Sequence, residues 1–224
     1  VADLIGLGMP GHHTYVNHIE EAHALLDAAR SGLELAHAPK DAPIRFAGYS
    51  QGGGASLSAA EYAERYAPDL NVAGTYAGAP PTDLPETMRS IDGSAIAHVL
   101  GYAINGFSER SPEFRDAVLA ELNPRGKDFL RSAATSCTGD SVLMWGFTNT
   151  RMLTRTGESL SGIVERKPVV KETLERQNLG KAVPNAPVMM ASSPSDDLIS
   201  HDQVRRTAGA VSYTHLTLPT KRIV

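Results

Sequence analysis

Cysteine is nearly absent from this chain, and so are long apolar runs and any large excess of one charge. The single cysteine, Cys137, has no partner within the 224 residues, so the fold does not depend on an internal disulfide. No apolar stretch approaches the ~20 residues that cross a bilayer, so the sequence predicts no transmembrane segment. The net charge of -4 provides no basic surface that would favour nucleic acid as a partner. With 42% hydrophobic and 21% charged residues, the composition is typical of one α/β domain or of a core with an insertion.

Histidine is more frequent, but six of the eight histidines show no metal-ligand spacing. His18 and His23, for example, are five residues apart and do not share a helical face. We therefore expect neither a metal site nor a cofactor. The six histidines, all expected at the surface or in loops, are His12, His13, His18, His23, His37 and His98.

Strand and helix patterns alternate over the first eighty residues. Residues 1–5 read as the end of a strand, and apolar residues at helical spacing follow from about 16 to 35. Strands at about 43–47 and 70–77 flank a second helix at about 53–66. This order predicts βαβ crossovers and a mostly parallel sheet with helices on both faces, which is the α/β class. The polar face of the first helix is assigned to Glu20, Glu21, Asp27 and Arg30.

The segment Gly48-Tyr49-Ser50-Gln51-Gly52 fits the pattern G-x-S-x-G. Between a strand and a helix, this pattern is typical of a nucleophile elbow, the sharp turn that lifts a serine hydroxyl above the sheet of an α/β-hydrolase. We expect a strained backbone at Ser50, with glycine at both flanks because Cβ atoms would collide there. Gly53 and Gly54 then predict that the first helical turn packs too closely for larger side chains. The alternative is a chance match in a chain rich in glycine and serine.

The alternation of strands and helices stops at about residue 81. Until about residue 183 the patterns are helical, including a helix capped by Ser111 and another begun by Pro168. A helical insertion in an α/β chain is expected to cover the carboxyl edge of the sheet, where ligands bind. We therefore divide the chain into a core with the elbow (1–80), a helical cap (81–183), a second core segment with a strand at 187–191 (184–210) and a tail (211–224).

A nucleophilic serine needs a general base and an acid that orients it, and in this fold the chain order is Ser, Asp or Glu, His. Asp196 follows the strand at 187–191, where the acid is expected; Asp197 is the alternative, and both could instead be loop or capping residues. His201 follows too soon to fold back onto the carboxylate and is expected to be an exposed first-turn residue. His215 lies in the tail. We therefore expect the catalytic histidine some thirty residues beyond the acid, outside this sequence.

The backbone N–H of Gln51 is expected to donate to the oxyanion, because Gln51 follows the nucleophile. The second donor belongs to the loop of an earlier strand, which we expect upstream of Val1.

Several strings resemble the secretory lipases of actinobacteria and fungi, the Candida antarctica lipase A type. They are DLIGLGMPGHHTYVN, LLDAARS, GYSQGGGAS, AAEYAERYAPDL, VAGTYAGAPP and PVMMASSPSDDLISHDQVRR. The resemblance covers most of residues 1–82 and 184–206, while the cap matches only in helical character and position. Residues 211–220 instead resemble one reading frame of a transposon-based sequencing adapter, which predicts an artefactual tail.

This resemblance implies an α/β-hydrolase with an inserted helical cap, truncated here at both ends, from an exported protein that cleaves triacylglycerols and other fatty-acid esters. It assigns Ser50 as nucleophile, Asp196 as acid and Gln51 as oxyanion donor, and it suggests that Cys137 pairs with an upstream cysteine. Ser200 departs from the family, which usually has proline there. The implied partners are a lipid or ester substrate and, transiently, a lipid interface.

Other functions of the same fold stay open: a short-chain or carbohydrate esterase, a serine peptidase, or a non-catalytic binding protein. An apolar cap beside Ser50 would suit an acyl chain, although ordinary core packing explains the same residues. Because the histidine and the N-terminal strands are missing, the 224-residue chain itself is predicted to be inactive and poorly folded.

Overall fold

The computed structural model describes residues 2–8 and 10–212, and its centre is a sheet of three parallel strands. The strands lie in the order β1 (Ile44–Tyr49), β2 (Val72–Gly78) and β3 (Val188–Ala191). Among the described residues the helices are α1 (His18–Leu35), α2 (Gln51–Tyr66), α3 (Leu84–Ile91), α4 (Val99–Arg110), α5 (Pro112–Leu119), α6 (Pro124–Ala133), α7 (Thr138–Trp145), α8 (Leu160–Arg166), α9 (Pro168–Glu175) and α10 (His201–Ser212), with a 3-10 turn at Thr150–Leu153. In this part of the chain no helix is both long and apolar enough to cross a bilayer.

Helices α1 and α2 pack together over one face of the sheet. Phe46 of β1 is buried there in a cluster with four side chains of the two helices and the turn after α2: Ala22, Leu26, Ala59 and Ala67. On the opposite face Tyr49, Tyr76 and Met189 are exposed. Their strand positions share this face because side chains alternate along a strand and the register pairs Met189 with Tyr76.

The chain before α1 is a packed loop rather than a strand. Residues 2–5 form no strand, so the prediction for this segment is wrong in its described part. The reason is that the carbonyl of Ile5 is already occupied: it accepts the backbone N–H of Thr14 at 3.2 Å and lies 2.8 Å from His13 Nδ1. Asn17 then caps α1 by accepting the Glu20 N–H, so the helix begins at His18, two residues after the predicted start.

The region between β2 and β3 is helical, as predicted, and contains the largest apolar cluster of the described residues. Ser111 caps α5 by accepting the Phe114 N–H, and Pro168 begins α9, both as the sequence indicates. The cap is tied to α1 through Gln177. Its carbonyl lies 2.7 Å from His18 Nδ1, and its side-chain oxygen accepts the Ile19 N–H at 3.2 Å.

The described part of the predicted tail is short. Residues 211–212 complete α10, while residues 213–224, including His215, lie outside the described residues.

Candidate active site

The three strands end in register at one edge of the sheet. Tyr49 pairs with Gly78, and Gly78 pairs with Ala191, so the loops that follow β1 and β3 begin at the same edge. Ser50 begins one of these loops, and the segment containing Asp196 begins after the other. The order of the sheet therefore brings the two predicted residues to a common edge, one strand apart.

Ser50 has the backbone geometry of the predicted elbow. Its φ of 53° and ψ of -118° lie in a region that a serine rarely occupies. The conformation is fixed by the Ser50 N–H, which donates to the Gly78 carbonyl at 2.8 Å, and by the Ser50 carbonyl, which accepts the Gly54 N–H at 3.0 Å. The side chain of Ser50 forms no capping hydrogen bond, although Ser50 precedes α2. Its hydroxyl is thus left available at the edge of the sheet.

Glycine is required at some, but not all, of the predicted positions. A Cβ on Gly48 would lie 1.9 Å from the Gly52 carbonyl oxygen, and one on Gly53 would lie 2.3 Å from the Gly78 oxygen. A Cβ on Gly54 would lie 2.6 Å from His18 Nε2. At Gly52, in contrast, a Cβ meets nothing within 4 Å, so the expected collision at this flank of Ser50 is wrong.

A narrow apolar cleft, with a volume of about 50 Å³, opens beside Ser50. One end is lined by Ser50 and Gln51, and the walls come from the cap, from the loop before α1 and from Ile199, which precedes α10. The wall residues include Tyr15, Val16, Leu100, Ala103 and Phe107. The cap therefore covers the carboxyl edge of the sheet, and its apolar side chains face the predicted nucleophile.

Asp196 lies in a tight turn beside this cleft. Its Oδ1 accepts the backbone N–H groups of Leu198 at 3.0 Å and Ile199 at 2.9 Å, and Ile199 itself lines the cleft. Asp197 is exposed.

His201 is half-buried with its Nδ1 2.7 Å from the Ser192 hydroxyl, so it is not the exposed residue that was expected. No hydrogen bond joins a histidine of the described residues to Asp196 or to the Ser50 hydroxyl.

Glu21, which the sequence placed on a polar surface, is buried directly behind the elbow. Its Oε1 accepts the Val16 N–H at 3.1 Å and one N–H of the Gln51 amide at 2.8 Å. Burial raises the pKa of Glu21 to about 8, so the carboxyl is mostly protonated at neutral pH. A signal for this burial is present in the sequence, because Glu21 lies four residues before the apolar Leu25 and so shares a face of α1 with it.

Two of the six histidines predicted at the surface are in the interior. His18 is fully buried, and this burial lowers its pKa to about 4. His98 is buried within the cap, and burial lowers its pKa also. His18 is the first residue of α1, and His98 directly precedes α4. Within residues 2–8 and 10–212, no group of three or more His, Cys, Asp or Glu side chains is placed to hold a metal ion.

Cys137 is exposed at the N-terminal end of α7. The pairing of Cys137 with an upstream cysteine stays a prediction.

The sequence profile of the secretory lipase family matches residues 1–216. The chain belongs to the secretory lipase family. Among the members of this family with curated sequences, a protein described as a probable inactive lipase of Mycobacterium tuberculosis (strain CDC 1551 / Oshkosh) is 32% identical over 195 residues, which are 85% of this chain and 41% of the relative. A secreted triacylglycerol lipase of Malassezia globosa is 30% identical over 199 residues, or 84% of this chain and 40% of the relative. This secretory lipase chain thus spans about two fifths of the length of these curated relatives.

Solved structures identify the fold of this secretory lipase chain. The X-ray structure of Candida antarctica lipase A matches with a TM-score of 0.77 at 22% identity, over 90% of this chain and 48% of that one. The fold is accordingly that of an α/β-hydrolase, as predicted.

Proposed function

We propose that the protein containing this chain is an exported carboxylic-ester hydrolase that cleaves triacylglycerols and related fatty-acid esters. The observation that carries the proposal is Ser50, held at a positive φ with its hydroxyl free, at the mouth of an apolar cleft. Membership of the secretory lipase family supports both the ester chemistry and a location outside the cell.

In the proposed reaction, Ser50 Oγ attacks the ester carbonyl carbon while a histidine accepts its proton. The backbone N–H of Gln51 donates to the oxyanion that forms. The histidine then gives the proton to the leaving alcohol, and water hydrolyses the acyl-enzyme to release the fatty acid. Asp196 orients the histidine, which is expected after Asp196 in the chain order of this fold. The apolar walls of the cleft hold the acyl chain by burying its methylene groups. The ester substrate would reach the cleft during brief contact of the protein with a lipid interface.

The test uses the full-length protein and compares Ser50→Ala with Ser31→Ala, a control at an exposed serine of α1. We expect Ser50→Ala to lower kcat for p-nitrophenyl butyrate at least about a thousandfold, because the nucleophile is lost. Ser31→Ala should stay near the wild-type rate. Unchanged turnover in Ser50→Ala would refute the assignment.

A second candidate function is non-catalytic binding of an ester or fatty acid in the same cleft. It is favoured by one observation: the relative from Mycobacterium tuberculosis is described as a probable inactive lipase. A fluorophosphonate probe separates the two candidates, because it labels only an activated serine. Labelling that disappears in Ser50→Ala supports the hydrolase, and no labelling of the full-length wild type supports the binding protein.

Substrate class is decided by a panel of esters and peptides. A triacylglycerol lipase should hydrolyse esters of long fatty acids, whereas a short-chain or carbohydrate esterase should not. Cleavage of peptides alone would favour a serine peptidase.

A further inference from the structure

A partly buried cluster of polar side chains lies behind the elbow, and these side chains have no assigned part in the proposed reaction. We call it the Glu21 cluster; it consists of Glu21, Gln51, His13 and the backbone N–H of Val16. Gln51 Nε2 lies 2.8 Å from Glu21 Oε1 and 2.7 Å from His13 Nε2. Glu21 Oε1 also accepts the Val16 N–H at 3.1 Å. The cluster joins the loop before α1, helix α1 and the first residue of α2.

The hydrogen bonds of the cluster allow one orientation of the Gln51 amide. His13 Nδ1 lies 2.8 Å from the Ile5 carbonyl, which can only accept, so Nδ1 carries the proton and Nε2 is an acceptor. The two N–H groups of the Gln51 amide therefore have two acceptors, one on His13 and one on Glu21. A flipped amide would direct its oxygen at both acceptors, which is unfavourable. Gln51 is thus held from two sides.

Glu21 also holds a strained residue in the wall of the cleft. Val16 has a φ of 55°, which is a genuine outlier for a β-branched residue. Such a conformation persists only where its surroundings impose it, and the bond from the Val16 N–H to Glu21 is one of the contacts that do so. Val16 and its neighbour Tyr15 both line the cleft. One oxygen of Glu21 therefore contacts the residue after the nucleophile and a wall of the cleft.

We propose that Glu21 is a positioning residue for the proposed ester hydrolysis, which acts by holding Gln51 and Val16 in place against Ser50. Through the Gln51 side chain it fixes the backbone N–H that meets the oxyanion, and through Val16 it fixes the wall that meets the acyl chain. The raised pKa of Glu21 agrees with this role, because a protonated carboxyl keeps its carbonyl oxygen as a double acceptor without a buried charge. The inference rests on the function proposed above.

Glu61 provides a matched control, because it is also a buried glutamate that accepts backbone N–H groups. Its Oε1 accepts the Gly180 N–H at 2.7 Å, and its Oε2 accepts the Lys181 N–H at 3.4 Å. These bonds connect α2 to the segment after α9. Glu61 does not line the cleft with Ser50, so its loss tests the effect of removing a buried carboxyl in general.

The experiment measures kcat, KM and the melting temperature of the full-length protein with p-nitrophenyl butyrate. The variants are Glu21→Leu, Glu21→Gln, Gln51→Leu, the double variant Glu21→Leu/Gln51→Leu, Glu61→Leu and Ser50→Ala. We expect Glu21→Leu and Gln51→Leu each to lower kcat between about 10- and 100-fold with little change in KM, since small misplacements at a reacting centre cost that much. Glu21→Gln keeps the acceptor oxygen and should stay within about threefold of wild type. The kcat of the double variant should lie within about threefold of the kcat of the slower single variant, because both substitutions break the same contact.

The outcomes are distinct. Glu61→Leu should lower the melting temperature while kcat stays within about threefold. An unchanged kcat in folded Glu21→Leu, an equal fall in Glu61→Leu, or multiplying effects in the double variant would overturn the role of Glu21. If Glu21→Leu does not fold, an unchanged kcat in Gln51→Leu is by itself enough to refute the proposal. If Ser50→Ala abolishes turnover while folded Glu21→Leu keeps the wild-type kcat, only this inference fails; if Ser50→Ala keeps turnover, the proposed function fails with it.

Discussion

Asp196 and Asp197 are adjacent in the chain but have different surroundings. Asp196 accepts two backbone N–H groups with a single oxygen, Oδ1, and so holds a turn beside the cleft. Its other oxygen has no part in that turn and is available to a histidine. Asp197 is exposed and makes no comparable contact. These surroundings favour Asp196 as the acid of the proposed triad.

A pair of substitutions tests this choice. Asp196→Asn keeps an acceptor oxygen for the turn but removes the charge that orients and stabilises the histidine, so kcat should fall by about 10⁴ with the fold retained. Asp197→Asn should change kcat less than about threefold. The measurement is p-nitrophenyl butyrate hydrolysis by the full-length protein, with circular dichroism to confirm folding. The reverse pattern would assign the acid to Asp197.

At the scale of single residues, the motif predicted the strained backbone of Ser50, because a glycine-flanked serine between a strand and a helix has few other conformations. The buried state of Glu21 was missed. Apolar spacing assigns charged residues to the outer face of a helix, and it does not register a carboxyl that is satisfied by a neighbouring amide. His18 was missed for the same reason, since its partner, the Gln177 carbonyl, lies 159 residues away in the sequence.

At the scale of elements, the end of β2 and the start of α2 form one rigid unit. The Gly78 carbonyl accepts the Ser50 N–H and would also be 2.3 Å from a Cβ at Gly53. The nucleophile therefore depends on how closely α2 approaches β2.

Two neighbouring glycines give opposite predictions. Gly53→Ala should destabilise the protein by several kcal/mol, because the collision is with backbone and cannot be relieved by a side-chain rotation. Gly52→Ala should be neutral or stabilise the protein by up to about 1 kcal/mol. Alanine favours the helical conformation more than glycine does, and a Cβ at position 52 would have no atom within 4 Å to collide with. Urea denaturation of both variants provides the measurement, and equal stabilities would contradict the packing described here.

The elements themselves were largely predictable, because β1, β2, β3, α1 and α2 follow apolar periodicity that burial enforces. The exception is the segment before α1. Its apolar residues resemble a strand, but a strand needs a neighbour to accept and donate its backbone hydrogen bonds. Here the carbonyl of Ile5 bonds within the loop to Thr14 and His13 instead. Whether this segment forms a strand or a loop therefore depends on which groups accept and donate its backbone hydrogen bonds, and the spacing of its apolar residues does not reveal that.

At the scale of the whole molecule, the cap and the core share the cleft. Val16, from the loop before α1, belongs to the apolar cluster of the cap, and Arg110 of α4 forms an ion pair with Glu20 of α1 at 2.6 Å. The walls of the cleft are therefore set by how these two parts meet.

This arrangement predicts that a cap residue controls acyl length. Ala103 of α4 lines the cleft, so Ala103→Phe should fill part of it and lower kcat/KM for a laurate ester relative to a butyrate ester by about tenfold. Ala117 of α5 packs against the same apolar cluster without lining the cleft, so Ala117→Phe is the control. An unchanged laurate-to-butyrate ratio in Ala103→Phe would mean that the acyl chain binds elsewhere.

The exposed thiol at the start of α7 has a practical consequence. Because Cys137 is the single cysteine of these 224 residues, a spin label on this chain attaches at one known position on the cap. A second label at an exposed site of α1, introduced as Glu34→Cys, would give a dipolar distance between cap and core. Recording that distance with and without a bound ester analogue would reveal directly whether access to the serine involves a hinge.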